Sequence, residues 1–293
     1  MNSLVSVIVP NLNSPIVGKT LASLYQQNYP WDYEIIVIGQ DKYEQIPVQD
    51  RIRSITTPIP TYQSISRNIG IQASKGDLLV FIDSDCIASP EWLFRLIQHF
   101  ENPNINIVGG GVTFPKDHFW TFCDNVATFH EYLNETKPGW REQLPTINLG
   151  IRKSVIEQVG LFDERLHIGE DIDLTTRLRI HGHQLYFDPM ATIIHLSQRR
   201  SITSIFHHAF DFGRYSRKLD PRYSDMLTLP WPLHHWWTTL LFSPLLASGI
   251  IWRIISRDHL PLKYWVTFPV VWLVKLIWCF GAARTLWKMK RSN

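Results

Sequence analysis

A chain of 293 residues that is 45% hydrophobic and 19% charged can bury a sizeable core, which excludes wholesale disorder. A net charge of +3 is too small to argue for nucleic acid as a partner. The charge is unevenly placed: residues 1–230 hold 21 Lys and Arg against 25 Asp and Glu, whereas residues 231–293 hold eight against one, with eight of the 12 Trp. This contrast predicts a domain over 1–230 and a helical, membrane-associated segment over 231–293.

In chain order, the start lacks a basic region ahead of its short apolar run and reads as a first strand, Val5–Val9, rather than a secretion signal. Helical spacing follows over Val17–Gln27. Apolar strands over Glu34–Ile38 and Ile52–Ile55 lead to a helix over Tyr62–Ala73, a strand over Leu78–Ile82 and a helix over Glu91–Phe100. The alternation predicts an α/β fold, a mostly parallel sheet with helices on both faces. Such sheets bind ligands at the carboxyl ends of their strands. His118–Pro145 is crowded with aromatics and has no clean period, so it reads as a long loop. It is either a lid or acceptor-binding segment, or a connection whose aromatics pack down. Cys86, Cys123 and Cys279 form no CxxC or zinc pattern and point to a reducing compartment.

The sharpest feature is Leu78-Leu79-Val80-Phe81-Ile82-Asp83-Ser84-Asp85. In extended chain, residues i and i+2 point the same way, so Asp83 and Asp85 converge at a strand's carboxyl end. Their repulsion is relieved if a divalent cation sits between them and a substrate phosphate. A solvated strand end is the alternative. A second acid cluster, Gly169-Glu170-Asp171-Ile172-Asp173-Leu174, opens a helix with Leu174 and Leu178 on one face. Acids in a first turn complement the helix dipole, and Asp173 is spaced to pair with Arg177.

Taken in order, several pieces resemble the inverting family 2 glycosyltransferases of GT-A fold. They are Ser6–Asn13, Arg67-Asn68-Ile69-Gly70, Asp83-Ser84-Asp85, Asn148–Lys153, Gly160–Glu164, Gly169–Leu174 and Ile193–Leu196, and the likeness covers about residues 4–215. The resemblance implies a Rossmann-like GT-A domain that takes a nucleotide-diphosphate sugar, a UDP-sugar first, with Mn²⁺ or Mg²⁺. It implies Asp83 and Asp85 as the metal and nucleotide-sugar pair, Asp85 being the direct ligand. His195 resembles a third metal ligand of some relatives, although a lone His after an apolar strand also fits a structural role. Asp171 resembles the general base, with Glu170 the second choice, and Pro10, Asn13, Gln40, Arg67 and Asn68 lie where the nucleotide sugar is bound. Arg67 fits either a phosphate contact or an ordinary surface position. One departure stands out: relatives carry an acidic pair after the second strand, where Gly39 and Gln40 stand here, with Asp41 following.

The tail holds a helical stretch over 203–219 that suits either an interfacial or a core helix. Two apolar segments follow, Trp236–Trp252 with Pro244 inside it and Trp265–Ala283 interrupted by Lys275. Two spans would place Arg253, Arg257 and Lys263 outside, against the positive-inside tendency, so a hairpin in the cytosolic leaflet is preferred. The expected task is sugar transfer to a lipid-linked or polysaccharide acceptor at the cytoplasmic face of the cell membrane. The alternative is a non-catalytic homologue that binds sugar nucleotide or scaffolds a membrane assembly. A nucleotidyltransferase would need a Gly-rich, Arg/Lys-bearing phosphate loop near the first strand, which is missing here.

Overall fold

The computed structural model describes residues 4–216, 219–223, 226–227, 229–256 and 262–292. The chain separates into two compact units: residues 1–113 with 137–196, and residues 114–136 with 197–293.

The first unit opens with β1 (Val5–Leu12), α1 (Val17–Tyr25), β2 (Tyr33–Gln40), β3 (Ile52–Thr56), α2 (Gln63–Ala73) and β4 (Leu78–Ile82). The order β3-β2-β1-β4 is parallel throughout, with Ile8 facing Ile36 on one side and Phe81 on the other. Val5, Val7, Ile8 and Val9 are all fully buried, so both faces of β1 are covered. This is why these strands read as continuous Val/Ile runs rather than alternating ones. The sheet continues as β4-β8-β6-β9-β5 and there becomes mixed. The strands are β5 (Cys86–Ala88), β6 (Ile107–Thr113), β8 (Asn148–Arg152) and β9 (Leu185–His195). β8 runs antiparallel to both β4 and β6, β9 is parallel to β6, and β5 and the short β7 (Gly139–Arg141) pair antiparallel with β9. Gly109, Gly110 and Gly111 dilute the apolar signature of β6, which sequence periodicity does not reveal. Helix α3 (Trp92–Ile97) passes into a 3₁₀ turn at Gln98–Glu101, shorter than the helix expected over Glu91–Phe100. Between β8 and β9 lie α5 (Lys153–Val159) and α6 (Glu170–Ile180).

The second unit corrects the reading of His118–Pro145 as a loop. Phe119–Phe129 forms helix α4, with Phe122, Val126 and Phe129 buried at helical intervals. Buried Asp124 and Asn125, with Phe119 exposed, hid that period, because burial around this helix does not follow polarity. α7 (Ile202–Arg214) is capped by Ser201, whose side chain accepts from Ser204 N while Ser204 Oγ answers it. Its buried face, Ile205, Ala209 and Gly213, packs on α10 (Phe268–Ser292), so it is a core helix. A side chain at Gly213 would strike the Trp278 carbonyl, and one at Gly281 the Phe210 carbonyl, so the two backbones touch only because both positions are glycine. This contact draws 203–214 into the second unit, and the boundary expected at 230 falls inside that unit. The segment Trp236–Trp252 is broken at Phe242 into α8 (Trp236–Leu241) and α9 (Ser243–Ser256), with Pro244 in the first turn of α9, where its missing N–H costs nothing. Arg217, Lys218 and Arg257 lie outside the described residues, as does the Lys263 side chain.

Candidate active site

All ten residues singled out from the sequence belong to the first unit. The five residues of β4 are buried, and Asp83 is the first residue beyond its carboxyl end. Ser84 lies between the two acids, and its carbonyl accepts from Ser14 Oγ at 3.0 Å and Thr20 Oγ1 at 2.9 Å. These two hydroxyls pin the backbone from which both carboxylates spring. Sequence reasoning missed them because Ser and Thr beside a helix start are ordinary capping residues. The chain turns back into β5, where Cys86 faces His195, the last residue of β9. His195 is buried, and its Nε2 lies 3.5 Å from Asp85 Oδ2, while Leu196 N donates to the Asp85 carbonyl at 2.8 Å. The sheet thus brings together the acid pair and the histidine expected from sequence.

Two carboxylates and an imidazole are donors that suit Mn²⁺ or Mg²⁺. Among the described residues, no group of three or more His, Cys, Asp or Glu side chains could hold a metal ion by itself. The set therefore fits a cation that takes its other ligands from phosphate oxygens and water, as Mg²⁺ commonly does.

Arg67 is neither a surface residue nor an open phosphate contact, which corrects both readings from the sequence. It is 1% exposed on α2, and its Nη1 donates to Glu170 Oε1 at 2.7 Å while Nη2 donates to Asp83 Oδ1 at 2.8 Å. Burial works against its charge, yet the Asp83 and Glu170 carboxylates hold the guanidinium protonated above its ordinary range. One buried cation therefore joins the two acidic clusters. Burial pushes the Asp83 carboxyl up from its ordinary value, Arg67 opposes that, and the neighbouring Asp85 carboxylate adds to it.

Glu170 and Asp171 open α6 after Gly169, whose left-handed φ of 84° turns the chain into the helix. Because Glu170 is engaged by Arg67, the pair is divided: one acid is clamped, and the other, Asp171, is half-buried with its Oδ1 accepting from Ile172 N at 2.8 Å. Burial and the adjoining Glu170 push the Asp171 carboxyl up to about 7. Asp173 makes the expected bond to Arg177 Nε, 2.9 Å, and Arg177 also holds the carbonyls of Val159, Gly160 and Leu161. The loop before α6 is tied to α2 as well. Asn68 donates to the Phe162 carbonyl at 2.9 Å and accepts from Phe162 N at 3.0 Å, and Ser64 Oγ donates to the Leu166 carbonyl. Asn68 is thus a brace for the loop that carries the acids, its amide taken up on both sides.

At the far ends of β1 and β2, Asn13 takes a left-handed φ of 55°, which Asn tolerates, and its N–H donates to the Gln40 carbonyl at 2.9 Å. Asn13 Oδ1 accepts from Lys42 N, and Gln40 Nε2 donates to the Thr57 carbonyl at 3.4 Å. Pro10 lies opposite Ile38, past the last residue of β1 that pairs with β4. The Gly39 departure has a local cause. Its φ is +133°, and a Cβ there would sit 1.9 Å from the Asn11 carbonyl oxygen, so an acidic residue has no room at this position.

A family model described as "Glycosyltransferase like family 2" matches residues 2–209. "Glycosyltransferase AglE" of Haloferax volcanii is 30% identical over 193 residues, 62% of this chain and 64% of that protein. "Glucosyl-dolichyl phosphate glucuronosyltransferase" of the same organism is 27% identical over 164 residues, half of each chain. In both cases the match takes in less than two thirds of the relative's length. Among solved structures, the mannosyltransferase PcManGT from Pyrobaculum calidifontis, in complex with GDP-Man and Mn²⁺, superposes with a TM-score of 0.63. That match covers 98% of this chain and 88% of the other at 15% identity, a likeness of fold.

Proposed function

Since the chain belongs to the family 2-like glycosyltransferases, we propose that it is an inverting transferase that moves a sugar from a nucleotide-diphosphate sugar to an acceptor hydroxyl. The observation that carries this reading is the gathering of Asp83, Asp85, Glu170 and Asp171 around one buried arginine at the carboxyl end of a central strand. Asp171 removes the proton from the acceptor hydroxyl as that oxygen attacks the anomeric carbon from the face opposite the diphosphate. A carboxyl raised to about 7 is a stronger base than an ordinary aspartate and is still about half ionised at neutral pH. Glu170, clamped by Arg67, keeps that guanidinium in place instead. Asp85, with Asp83 and His195, would hold Mn²⁺ or Mg²⁺, which supplies Lewis-acid stabilisation to the departing nucleotide diphosphate. Pro10, Asn13 and Gln40 border the nucleotide end.

The donor is proposed as a UDP-sugar from the resemblance. A GDP-sugar is the second reading, favoured by the Gly39-Gln40 departure and by the GDP-Man held by the Pyrobaculum protein. A lipid-linked acceptor is supported by the dolichyl phosphate in the name of one relative, and a polysaccharide acceptor is its alternative. The protein is placed at the cytoplasmic face of the membrane, held there by its C-terminal helices. Thermal stabilisation by a panel of nucleotide sugars with Mn²⁺, followed by assay of donor hydrolysis and transfer, tests the reading. One donor should raise the melting temperature in a metal-dependent manner, and Asp85→Ala should lose both that shift and turnover while melting normally by itself. Stabilisation without turnover under any acceptor would favour the non-catalytic homologue.

A further inference from the structure

Among the described residues of the second unit, α10 alone is long and apolar enough to cross a membrane, and α9 is a shorter apolar helix, so a crossing α10 is the alternative to a hairpin in one leaflet. The packing argues against the crossing. A helix of 14 residues is about 21 Å long, against about 30 Å of hydrocarbon, so α9 is too short. α10 is long enough, but one side of it is already occupied by protein that cannot enter lipid. Lys275, in its first half, donates to the Ala127 carbonyl of α4 at 2.8 Å. Along its second half lies α7, held by the Gly213–Gly281 contact and by Thr285 Oγ1 donating to the Arg214 carbonyl. α7 carries the Asp211–Arg214 ion pair, whose side chains are 44% and 30% exposed. A spanning α10 would drag this exposed pair into hydrocarbon, at a cost no contact here offsets.

The opposite side of the same helices is apolar and open. On α10 and the turn before it, Val266, Leu273, Phe280 and Trp287 recur every seven residues and are all exposed. On α8 and α9, Trp237, Leu241, Leu245, Trp252 and Ile255 do the same at intervals of three, four and seven, with Leu245 68% and Trp252 70% exposed. Trp272 Nε1 donates to the exposed Ser248 Oγ at 3.0 Å, which ties the two stripes into one surface. That surface ends on exposed Arg284, Lys288 and Arg291, and the sequence from 229 onward holds a single acid, Asp258, outside the described residues. Apolar stripes edged by Trp and followed by cations match the layered chemistry of an anionic leaflet: hydrocarbon, interface, then headgroup charge.

We infer that the second unit is monotopic: α8, α9 and α10 lie along one anionic leaflet through these stripes, and α10 does not cross the bilayer. Vesicle binding and sugar transfer are read separately, so either proposal can fail without the other. The test uses the full chain bound to preformed vesicles of phosphatidylcholine and phosphatidylglycerol, 3:1. The native cysteines are buried, so Leu245→Cys and Phe280→Cys can each carry a bimane label. Both labels should be quenched more by a nitroxide near the headgroup than by one near the chain end. Ser256→Cys should still react with an impermeant maleimide added outside. Preferential quenching by the deep nitroxide, or protection of Ser256→Cys until detergent is added, would establish spans and overturn the inference. Leu245→Glu with Leu273→Glu should reduce vesicle flotation at least tenfold without changing the melting temperature, and unchanged flotation would equally sink it. Replacing Arg284, Lys288 and Arg291 with Gln should weaken binding to the anionic vesicles roughly fivefold per charge at low salt, leaving binding to pure phosphatidylcholine unaltered.

Discussion

Two buried ionic clusters, one from each unit, are balanced in opposite ways. In the first unit a single arginine, Arg67, serves Asp83 and Glu170, with Asp85 and Asp171 beside them, so acid is in excess. In the second unit a single carboxylate, Asp124, is held by two partners, Arg199 Nε at 2.6 Å and His208 Nδ1 at 3.2 Å. The carboxyls respond accordingly. Burial and the adjoining Glu170 outweigh Arg67 and the Ile172 N–H and push Asp171 up to about 7, whereas at Asp124 the hydrogen bonds from His208 and Arg199 overcome burial and hold it below its ordinary value. A saturated cluster ties α4 to α7 and has nothing left to do. An under-neutralised one is poised to take a cation or a proton, which is why the chemistry is assigned to the first.

The largest test of this contrast is Asp171→Asn, which keeps shape and removes the proposed base. Transfer at saturating donor should fall by roughly 10²–10⁴, with donor affinity little changed. In the parent protein kcat/KM should rise with pH through about 7, as the base loses its proton, and the variant should lose that limb. Loss of donor binding with normal transfer at saturation would reassign Asp171 to the donor site.

Next in size is Arg67→Met. It strands two carboxylates that are 18% and 7% exposed, so urea unfolding should register a loss of about 3–5 kcal/mol. Stability within a few tenths of the parent would mean that the bridge is not the keystone described. Asp124→Ala should cost less, about 1–3 kcal/mol, because Arg199 and His208 are partly open and can turn to water.

The pH dependence of stability should also differ in sign. The Asp124 carboxyl is depressed, so its contribution is present above the ordinary carboxylate range and is lost as pH falls through its folded value, below about 4. The Asp171 carboxyl is raised, so the folded state holds its proton, and stability declines as pH climbs from about 4 to about 7. Acid-range melting of Asp124→Ala and neutral-range melting of Asp171→Asn, each against the parent, separate the two. The smallest effect is expected from Thr20→Val, which removes one of two hydroxyls on the Ser84 carbonyl and should cost about 1 kcal/mol.

Much of this was legible in the residues alone, because its causes are local. Val/Ile runs made β1, β2, β3 and β4 visible, and Gly169 with three acids announced the start of α6; the acid pair was visible too, but Asp83–Asp85 form a turn, closed by Cys86 N donating to the Asp83 carbonyl, and not the extended chain that a period of two assumes. The order of motifs implied the family. What only the tertiary structure decided depends on chain separation. Arg67 meets Glu170 across 103 residues, and Thr20 reaches Ser84 across 64, distances over which no periodicity carries information. His195 stands beside Asp85 because β9 returns antiparallel to β5, a pairing set by sheet topology. Asn68, read as a nucleotide contact, also braces a loop that lies 94 residues onward. In the second unit, apolar composition made α7, α9 and α10 legible and left α4 unseen, and it could not say which side of each helix was covered. The two glycines that let α7 and α10 touch decided that, since a helix shows its neighbours only once it has packed against them.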